Sequence, residues 1–226
     1  MSVNQKEYSK ILTELGSEVK LVAVSKTKSA DEIMELYNLG QRDFGENYVQ
    51  ELVEKYEQLP KDIQWHFIGH LQSNKVKFIA PFISLIQGVD SYKLLQEMNK
   101  QGKKINKIIN CLLQVHIATE ETKFGLNETE LSELIEHAIT NAHELTNVRI
   151  CGLMGMASFT DNMEKVRSEF KYLKSLFQKH SQLSTHNYQL STLSVGMSAD
   201  YKVAIQEGSN MVRIGSLIFG ERYYNH

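Results

Sequence analysis

Short apolar runs rich in β-branched residues alternate with longer charged segments of helical period along nearly the whole chain. The first run is KLVAVSK, and it is followed by RDFGEN, WHFIGH, LIQGVD, CLLQVHI, VRICGLMGM, LSTLSVGM and MVRIGSLIFG. Short runs of this kind are typical of buried strands, whereas the segments between them have the spacing of amphipathic helices. The pattern therefore predicts eight strands that alternate with helices, preceded by an amphipathic helix at about residues 5–15.

Several helix boundaries can be assigned from residue type. Ser29 and Asn127 each precede a glutamate by three residues. At this spacing the cap side chain and the acid satisfy each other's free backbone amides. Gly40 and Gly102 are predicted to stop helices, and Pro60 is predicted to end the helix that carries VQELVEKYEQL.

The order of elements selects between two α/β folds. Eight strands alternating with helices over about 200 residues fit a (β/α)8 barrel. The main alternative is an open doubly wound sheet, which often has a glycine-rich phosphate turn after its first strand. Here that turn reads SKTKSADE and contains no glycine. No Gly/Ser-rich linker is visible either, so we predict that residues 1–226 form a single-domain (β/α)8 TIM barrel with an extra N-terminal helix.

Composition and charge restrict the kinds of molecule that the protein is expected to bind. The chain has 226 residues, 42% hydrophobic and 23% charged, and a formal net charge of −2. Acidic and basic residues are interleaved, so we expect no nucleic-acid partner. No apolar stretch approaches the ~18 residues that span a bilayer, and the N-terminus lacks the apolar segment of a secretory signal, so no membrane is expected.

The residues that most often bind metals do not form a plausible metal site. His66 and His70 lie about 13 Å apart if they share one strand, which is too far for one ion. Cys111 and Cys151 lack the spacing of a metal or redox pair. We predict that both are buried thiols of a reducing compartment, so the expected location is cytoplasmic.

Two loops near the C-terminus have the composition of a phosphate site. In (β/α)8 barrels the loops after strands seven and eight often hold phosphate. Here they are Gly196-Met-Ser198-Ala-Asp200 and Arg213-Ile-Gly215-Ser216. Small residues let backbone amides approach an anion, and the serines add hydroxyl donors. The first loop alone fits the capped start of the helix SADYKVAI equally well. The second glycine-serine pair favours the phosphate interpretation.

Lys26 ends the apolar run of the first strand, where an unpaired buried ammonium would be costly. Counting by twos puts Val22, Val24 and Lys26 on one face, so the amine is expected at the mouth of the barrel. Barrel closure brings Arg213, on strand eight, toward the same cavity. A second cation lowers the pKa of a lysine and leaves an amine that forms Schiff bases with carbonyls. The alternative is an ion pair from Lys26 to a carboxylate such as Glu46.

Eight motifs occur in order between about Leu21 and Arg222. They are SKTK, FGENYVQE, WHFIGHLQSNK, VDS, KFG, GLMGMA, GMSADYKVAI and VRIGSLIFGER. Together they resemble the pyridoxal-phosphate homeostasis protein family, apart from His116, where we expect asparagine. The resemblance implies a barrel like the N-terminal domain of alanine racemase. It also implies binding of pyridoxal 5′-phosphate (PLP), a role in cellular vitamin B6 balance and no established turnover.

The resemblance also implies roles for single residues. Lys26 is expected to hold the cofactor as a Schiff base, and Asn47 in GENY is expected to line its pocket. Arg213 would face the pyridine nitrogen, as an arginine does in alanine racemase. A cationic partner keeps that nitrogen unprotonated and weakens the ring as an electron sink. The residues that would hold the phosphate are Ser198, Gly215 and Ser216.

Three functions are compatible with these residues. The favoured one is a non-catalytic carrier or regulator that binds PLP as a Schiff base in PLP homeostasis. The alternative is a PLP-dependent enzyme similar to an amino-acid racemase, and a third is a lysine-dependent aldolase acting on a phosphorylated sugar. Apo-enzymes that use PLP are candidate protein partners. A monomer is expected, because no exposed apolar stripe remains once the helices cover the barrel.

Overall fold

The computed structural model describes residues 3–120 and 123–220. Within them the strands are β1 (Lys20–Val24), β2 (Asp43–Glu46), β3 (Gln64–Phe67), β4 (Leu85–Val89), β5 (Ile109–Val115), β6 (Val148–Gly155), β7 (Ser184–Thr185), β8 (Tyr188–Ser194) and β9 (Met211–Ile214). The α-helices are α1 (Gln5–Leu15), α2 (Ala30–Asn38), α3 (Val49–Gln58), α4 (Val76–Ile79), α5 (Tyr92–Lys104), α6 (Glu128–Thr140), α7 (Met163–Ser181), α8 (Tyr201–Gln206) and α9 (Ser216–Phe219).

The parallel strands of the described residues close into a ring. β1 lies between β2 and β9, with Ala23 beside Phe44 and Val22 beside Arg213. The ring continues through β3, β4, β5 and β6, and it closes where β6 pairs in parallel with β8. The two-residue strand β7 pairs antiparallel with β8. The predicted (β/α)8 barrel is therefore confirmed, with β1–β6, β8 and β9 as its eight strands and α1 as the extra N-terminal helix.

Alternation along the strands separates two apolar layers. The inner layer, inside the ring, contains Val22, Leu85, Leu112, Met154 and Met211. The larger outer layer, between strands and helices, contains Ala23, which is the neighbour of Val22. Because successive strand side chains point to opposite faces, polar residues two positions from an inner apolar residue also face the interior. Gln87 on β4 and Arg213 on β9 are residues of this kind.

Most of the predicted helix boundaries match the structure. Ser29 and Asn127 both form complete capping boxes, and α3 ends before Pro60, as predicted. Gly40 follows the end of α2 with φ +102°. The predicted stop at Gly102 is wrong, because α5 continues through it to Lys104.

Close packing accounts for the glycine at position 102. A Cβ atom there would lie 2.6 Å from the carbonyl oxygens of both Asn147 and Lys107. Real Cβ atoms do not approach backbone oxygens so closely, and backbone cannot easily move aside. Gly102 therefore lets α5 pack closely against Asn147 and against the turn that follows the helix at Lys107, so the requirement is partly tertiary and partly local.

Two further expectations concern the environment of the chain. Among the described residues, no helix combines the length and apolar character needed to cross a membrane. Cys111 is buried, as predicted, whereas Cys151 is only half-buried. The prediction for Cys151 was therefore wrong, because its side chain packs against the inner layer from a partly exposed position.

Candidate functional site

A cavity of about 710 Å³ opens at the carboxyl ends of the barrel strands. Its volume falls in the range of about 300–1,000 Å³ that is usual for small-molecule sites. The cavity brings together all six residues that the sequence predicted for a cofactor site. They are Lys26, Asn47, Ser198, Arg213, Gly215 and Ser216.

Lys26 lies in the turn that follows β1. Val24 and Lys26 both line the cavity, while Val22 lies in the inner layer below them. The count by twos along the strand therefore places the lysine correctly, although β1 itself ends at Val24. Thr27, the next residue, has φ +66°, a left-handed conformation that β-branched residues rarely adopt. The turn that presents Lys26 thus carries backbone strain that its surroundings must balance.

A buried cluster of charged side chains holds this turn from below. Lys55 on α3 donates to Glu46 Oε1 at 2.8 Å, to Glu51 Oε1 at 2.6 Å and to the carbonyl oxygen of Ser25 at 2.7 Å. The Ser25 hydroxyl donates to Glu46 Oε1 at 2.5 Å, and the Thr27 amide donates to Glu51 Oε1 at 2.5 Å. The residues on both sides of Lys26 are therefore fixed by one ionic cluster.

Glu46 is the carboxylate that the sequence left open as an ion-pair partner for Lys26. Its Oε1 atom is engaged by Lys55 and Ser25, and its Oε2 atom is buried without a hydrogen-bond partner. Burial raises the pKa of Glu46 to about 7, although the charge of Lys55 and its hydrogen bond oppose this rise. Glu46 therefore belongs to the ionic cluster that fixes the turn around Lys26.

The two predicted phosphate loops meet at the cavity. The backbone amide of Gly215 lies 3.3 Å from the Ser198 hydroxyl oxygen and donates to it. In the short helix α9, the amides of Ile218 and Phe219 both donate to the carbonyl oxygen of Gly215. The amides of Ser216 and Leu217 precede these bonds, so they belong to the free donors that open a helix. Hydroxyl and amide donors of both loops are thus close enough to share one anion.

Asp200 closes the first of these loops rather than binding the end of α8. Its Oδ1 atom accepts from the amide of Met197 at 2.6 Å, and no side-chain cap bond is made to α8. The expected helix begins at Tyr201 and is only six residues long. Burial raises the pKa of Asp200, while the Met197 amide and the charge of Arg213 act in the opposite direction.

Arg213 is a buried cation on the floor of the cavity. Its side chain donates from Nη1 to the Ser194 carbonyl and hydroxyl oxygens, at 2.8 and 2.6 Å, and from Nη2 to the carbonyl oxygen of Gly155 at 2.9 Å. Burial lowers the pKa of Arg213 to about 10, and the charge of Asp200 opposes this change. The guanidinium therefore remains charged at neutral pH.

Asn47 supplies a polar atom that the protein itself leaves unsatisfied. Its Oδ1 atom is buried without a hydrogen-bond partner, and the residue lines the cavity. Buried acceptors of this kind are uncommon in folded proteins and often mark a ligand or water position. The residues present therefore fit a phosphorylated aldehyde that also carries a hydrogen-bond donor.

The sequence did not identify the loops after β5 and β6 that form one wall of the cavity. Ser158 accepts from the amide of Thr119 at 3.0 Å and donates to Glu169 at 2.6 Å, and the Phe159 amide donates to Glu120 at 2.7 Å. This last bond lowers the pKa of Glu120 to about 2. The side chain of Phe159 is 97% exposed at the cavity mouth. Their position after barrel strands, together with the motifs KFG and GLMGMA, was the signal that could have found these loops.

Two more lysines, to which the sequence analysis assigned no role, also line the cavity. Lys28 donates to the carbonyl oxygen of Phe219 at 2.8 Å, and Lys123 donates to that of Ala157 at 2.5 Å. His116, the departure from the family pattern, lies with Nε2 2.9 Å from the carbonyl oxygen of Glu120. It therefore contacts its own loop.

Comparison with known proteins agrees with this barrel and cavity. Residues 4–223 match the family described as "Alanine racemase, N-terminal domain", which defines the class of the protein. A protein of Aquifex aeolicus named "Pyridoxal phosphate homeostasis protein" is 43% identical over 206 residues, which cover 91% of this chain and 88% of that protein. A human protein of the same name is 42% identical over 216 residues and covers 91% of this chain and 78% of its own length. The chain therefore belongs to the pyridoxal phosphate homeostasis protein family.

Solved structures give the same result. PipY of Synechococcus elongatus, solved without PLP, superposes with a TM-score of 0.87 at 30% identity and covers 95% of this chain and 99% of its own. PipY with PLP bound superposes with a TM-score of 0.84. An alanine racemase of Clostridium difficile, at 15% identity and a TM-score of 0.73, shares the fold, and 57% of that chain is covered.

Proposed function

We propose that this protein binds PLP as a Schiff base with Lys26 and acts in PLP homeostasis as a carrier or regulator without turnover of its own. The observation that carries the proposal is the convergence of Lys26, Arg213 and the two phosphate-type loops on one cavity. A cavity that combines an amine, anion donors and a buried guanidinium matches the aldehyde, phosphate and pyridine nitrogen of PLP. PipY with PLP bound and the names of the curated relatives support the same ligand.

Each cavity residue has a role in this proposal. The Lys26 amine attacks the aldehyde carbon, a C=N bond forms and one water molecule leaves. Ser198 and Ser216 bind the phosphate through hydroxyl and amide donors, and Gly215, whose own amide donates to Ser198, contacts it as a residue without a side chain. The Asn47 Oδ1 atom accepts a hydrogen bond from the ligand, which satisfies a buried atom that otherwise has no partner. Arg213 faces the pyridine nitrogen.

The charge of Arg213 favours storage over catalysis. PLP, when bound, supplies an electron sink whose strength depends on protonation of its pyridine nitrogen. Because the guanidinium is charged and can only donate hydrogen bonds, it disfavours a proton on that nitrogen. Carbanions at a bound amino acid are then weakly stabilised. We therefore propose delivery of PLP to apo-enzymes rather than amino-acid racemisation. We also propose that the protein is a monomer and acts in the cytoplasm.

The proposal is tested by trapping. Purified protein is incubated with PLP and reduced with borohydride, and the modified peptide is mapped by mass spectrometry. We expect one adduct at Lys26, and its loss in Lys26→Ala. Lys28→Ala is the matched control, because Lys28 lines the same cavity two residues away and should leave the adduct in place.

Other outcomes decide between the remaining functions. Protein that cannot be loaded with PLP, or an adduct that persists in Lys26→Ala, contradicts the proposal. Sustained turnover of an amino acid that disappears in Lys26→Ala favours the racemase-like enzyme. Trapping with a phosphorylated sugar, and none with PLP, selects the aldolase.

A further inference from the structure

A continuous chain of polar side chains crosses the inside of the barrel, beginning at Arg213. Arg213 Nη1 lies 2.6 Å from the hydroxyl oxygen of Ser194, which lies 2.7 Å from Gln87 Oε1. Gln87 Nε2 lies 3.1 Å from His66 Nδ1, and His66 Nε2 lies 2.9 Å from Asp43 Oδ1. These five side chains, which we call the axial chain, come from β9, β8, β4, β3 and β2.

The donor and acceptor roles along the axial chain follow from its two ends. A guanidinium can only donate, so Ser194 Oγ accepts from Arg213 and its own hydrogen is available to Gln87 Oε1. The amide nitrogen of Gln87 then donates to His66 Nδ1. His66 is thereby a neutral imidazole that carries its hydrogen on Nε2 and donates it to Asp43. Every hydrogen bond points the same way, from the buried cation to the carboxylate.

Asp43 anchors the far end of the axial chain. Burial by itself raises the pKa of Asp43, but the hydrogen bond from His66, together with the hydrogen bond and charge of Lys20, holds it below its ordinary value. Lys20 Nζ lies 3.0 Å from Asp43 Oδ1. Asp43 begins β2 and Glu46 ends it, so the carboxylate lies about 10 Å along the strand from the cavity end of the barrel.

The axial chain contacts the Arg213 guanidinium through one hydrogen bond, to the hydroxyl oxygen of Ser194. The other two bonds of the guanidinium go to the backbone oxygens of Ser194 and Gly155. Ser194, Gln87 and His66 are all buried, so an altered member cannot be replaced readily by solvent. Removing one member leaves its neighbours with unpaired buried donors or acceptors, which shift to find new partners. Such a shift reaches Arg213 through Ser194.

We propose that Ser194, Gln87, His66 and Asp43 are positioning residues that fix the direction of the Arg213 guanidinium toward the pyridine nitrogen of PLP. This inference rests on the proposed function. By this inference, side chains deep in the barrel affect the absorbance spectrum and the affinity of a ligand that they do not touch. The most distant of them is Asp43, at the opposite end of the barrel.

The test compares Gln87→Met with Gln114→Met. Gln114 is a buried barrel glutamine outside the axial chain, and its Nε2 atom donates to the carbonyl oxygen of Phe124 at 2.8 Å. Both variants lose one buried amide at similar side-chain volume. We expect Gln87→Met to weaken PLP binding about tenfold and to shift the absorbance maximum of bound PLP. Gln114→Met should leave the absorbance maximum unchanged and the affinity within twofold of wild type.

A second pair tests the far end. Asp43→Asn should shift the absorbance maximum in the same direction as Gln87→Met. Asp62→Asn, which removes the ion pair to Arg42 at 3.2 Å, should not. In the ligand-free protein, nitrogen NMR should find the hydrogen of His66 on Nε2 and not on Nδ1.

Three results overturn the inference. They are a hydrogen on His66 Nδ1, spectra of Gln87→Met and Asp43→Asn identical to wild type, or equal shifts in the two control variants. Each variant is first shown to be folded by thermal unfolding, and a variant that does not fold is replaced by Ser194→Ala. Borohydride trapping at Lys26 in wild-type protein separates the two proposals. If trapping fails, the proposed function is wrong, and if trapping succeeds with unchanged variant spectra, only the positioning role is wrong.

Discussion

Replacement of Glu46 by glutamine should remove a large pH dependence from the stability of the fold. Glu46 is fully buried below the Lys26 turn, and burial raises its pKa from the ordinary 4.5 to about 7. Between these two pH values the folded chain keeps a proton that the unfolded chain has released. Stability therefore falls as the pH rises through this window.

The magnitude follows from the width of the window. The two pKa values are about 2.5 pH units apart, and each unit corresponds to about 1.4 kcal/mol, so the contribution of Glu46 changes by about 3 kcal/mol. Below pH 4.5 Glu46 is protonated in both states and does not lower the free energy of unfolding. Above about pH 8 it is ionised in both states, and the full cost of burying its charge is present. Glu46→Gln keeps an acceptor for Lys55 and Ser25 without a titrating group. The free energy of unfolding of wild type should thus drop by about 3 kcal/mol relative to the variant across this range.

The protein contains its own probe for the measurement. Trp65 is the one tryptophan of the chain and is fully buried, so its fluorescence reports urea-induced unfolding. Unfolding curves are recorded for wild type, Glu46→Gln and Gln114→Met at several pH values from 4.5 to 8.5. The Gln114→Met control removes a neutral group that binds a carbonyl oxygen, so its difference from wild type should be the same at every pH. A wild-type to Glu46→Gln difference that is equally constant would refute the reasoning.

Three further variants test separate parts of the structure. Gly102→Ala should destabilise the protein by about 1–3 kcal/mol in urea unfolding, because the added Cβ meets two backbone oxygens; a neutral or stabilising effect would contradict the close packing at this position. Ser29→Ala should cost about 1 kcal/mol in the same assay, since it removes the cap of α2, and an unchanged midpoint would contradict the capping role. Ser198→Ala should weaken binding of PLP but not of pyridoxal, which lacks the phosphate, in a fluorescence titration. An equal loss for both ligands would mean that Ser198 does not contact the phosphate.

The barrel and much of the cavity could be predicted because each strand and loop is recognisable from a few consecutive residues. A period of two along β1 was enough to place Val22 inside the ring and Lys26 at its mouth. The glycine-serine pairs after β8 and β9 were visible for the same reason, since each loop carries its own composition. The fold then brings the ends of neighbouring strands together without any further information.

The parts that could not be predicted depend on partners far apart in the sequence. Gln87 and Ser194 are separated by 107 positions, so neither residue alone indicates the axial chain. The role of Glu46 was open because the sequence alone does not show that the side chain of its partner Lys55 is buried. Gly102 is a residue type typical of a helix stop, but it is required by the close approach of two carbonyl oxygens, one of which, on Asn147, is distant in the sequence.

The pairing of β1 with β9 has a consequence for how the protein is made. Lys26 follows the first strand and Ser216 follows the last described one, and the two strands lie side by side. On the ribosome the amine emerges long before the serines that would share its ligand, so a growing chain cannot assemble the pocket until its final strand inserts beside its first. A ligand that contacts residues after both β1 and β9 binds only the closed barrel. It therefore stabilises the barrel by mass action against separation of these two strands.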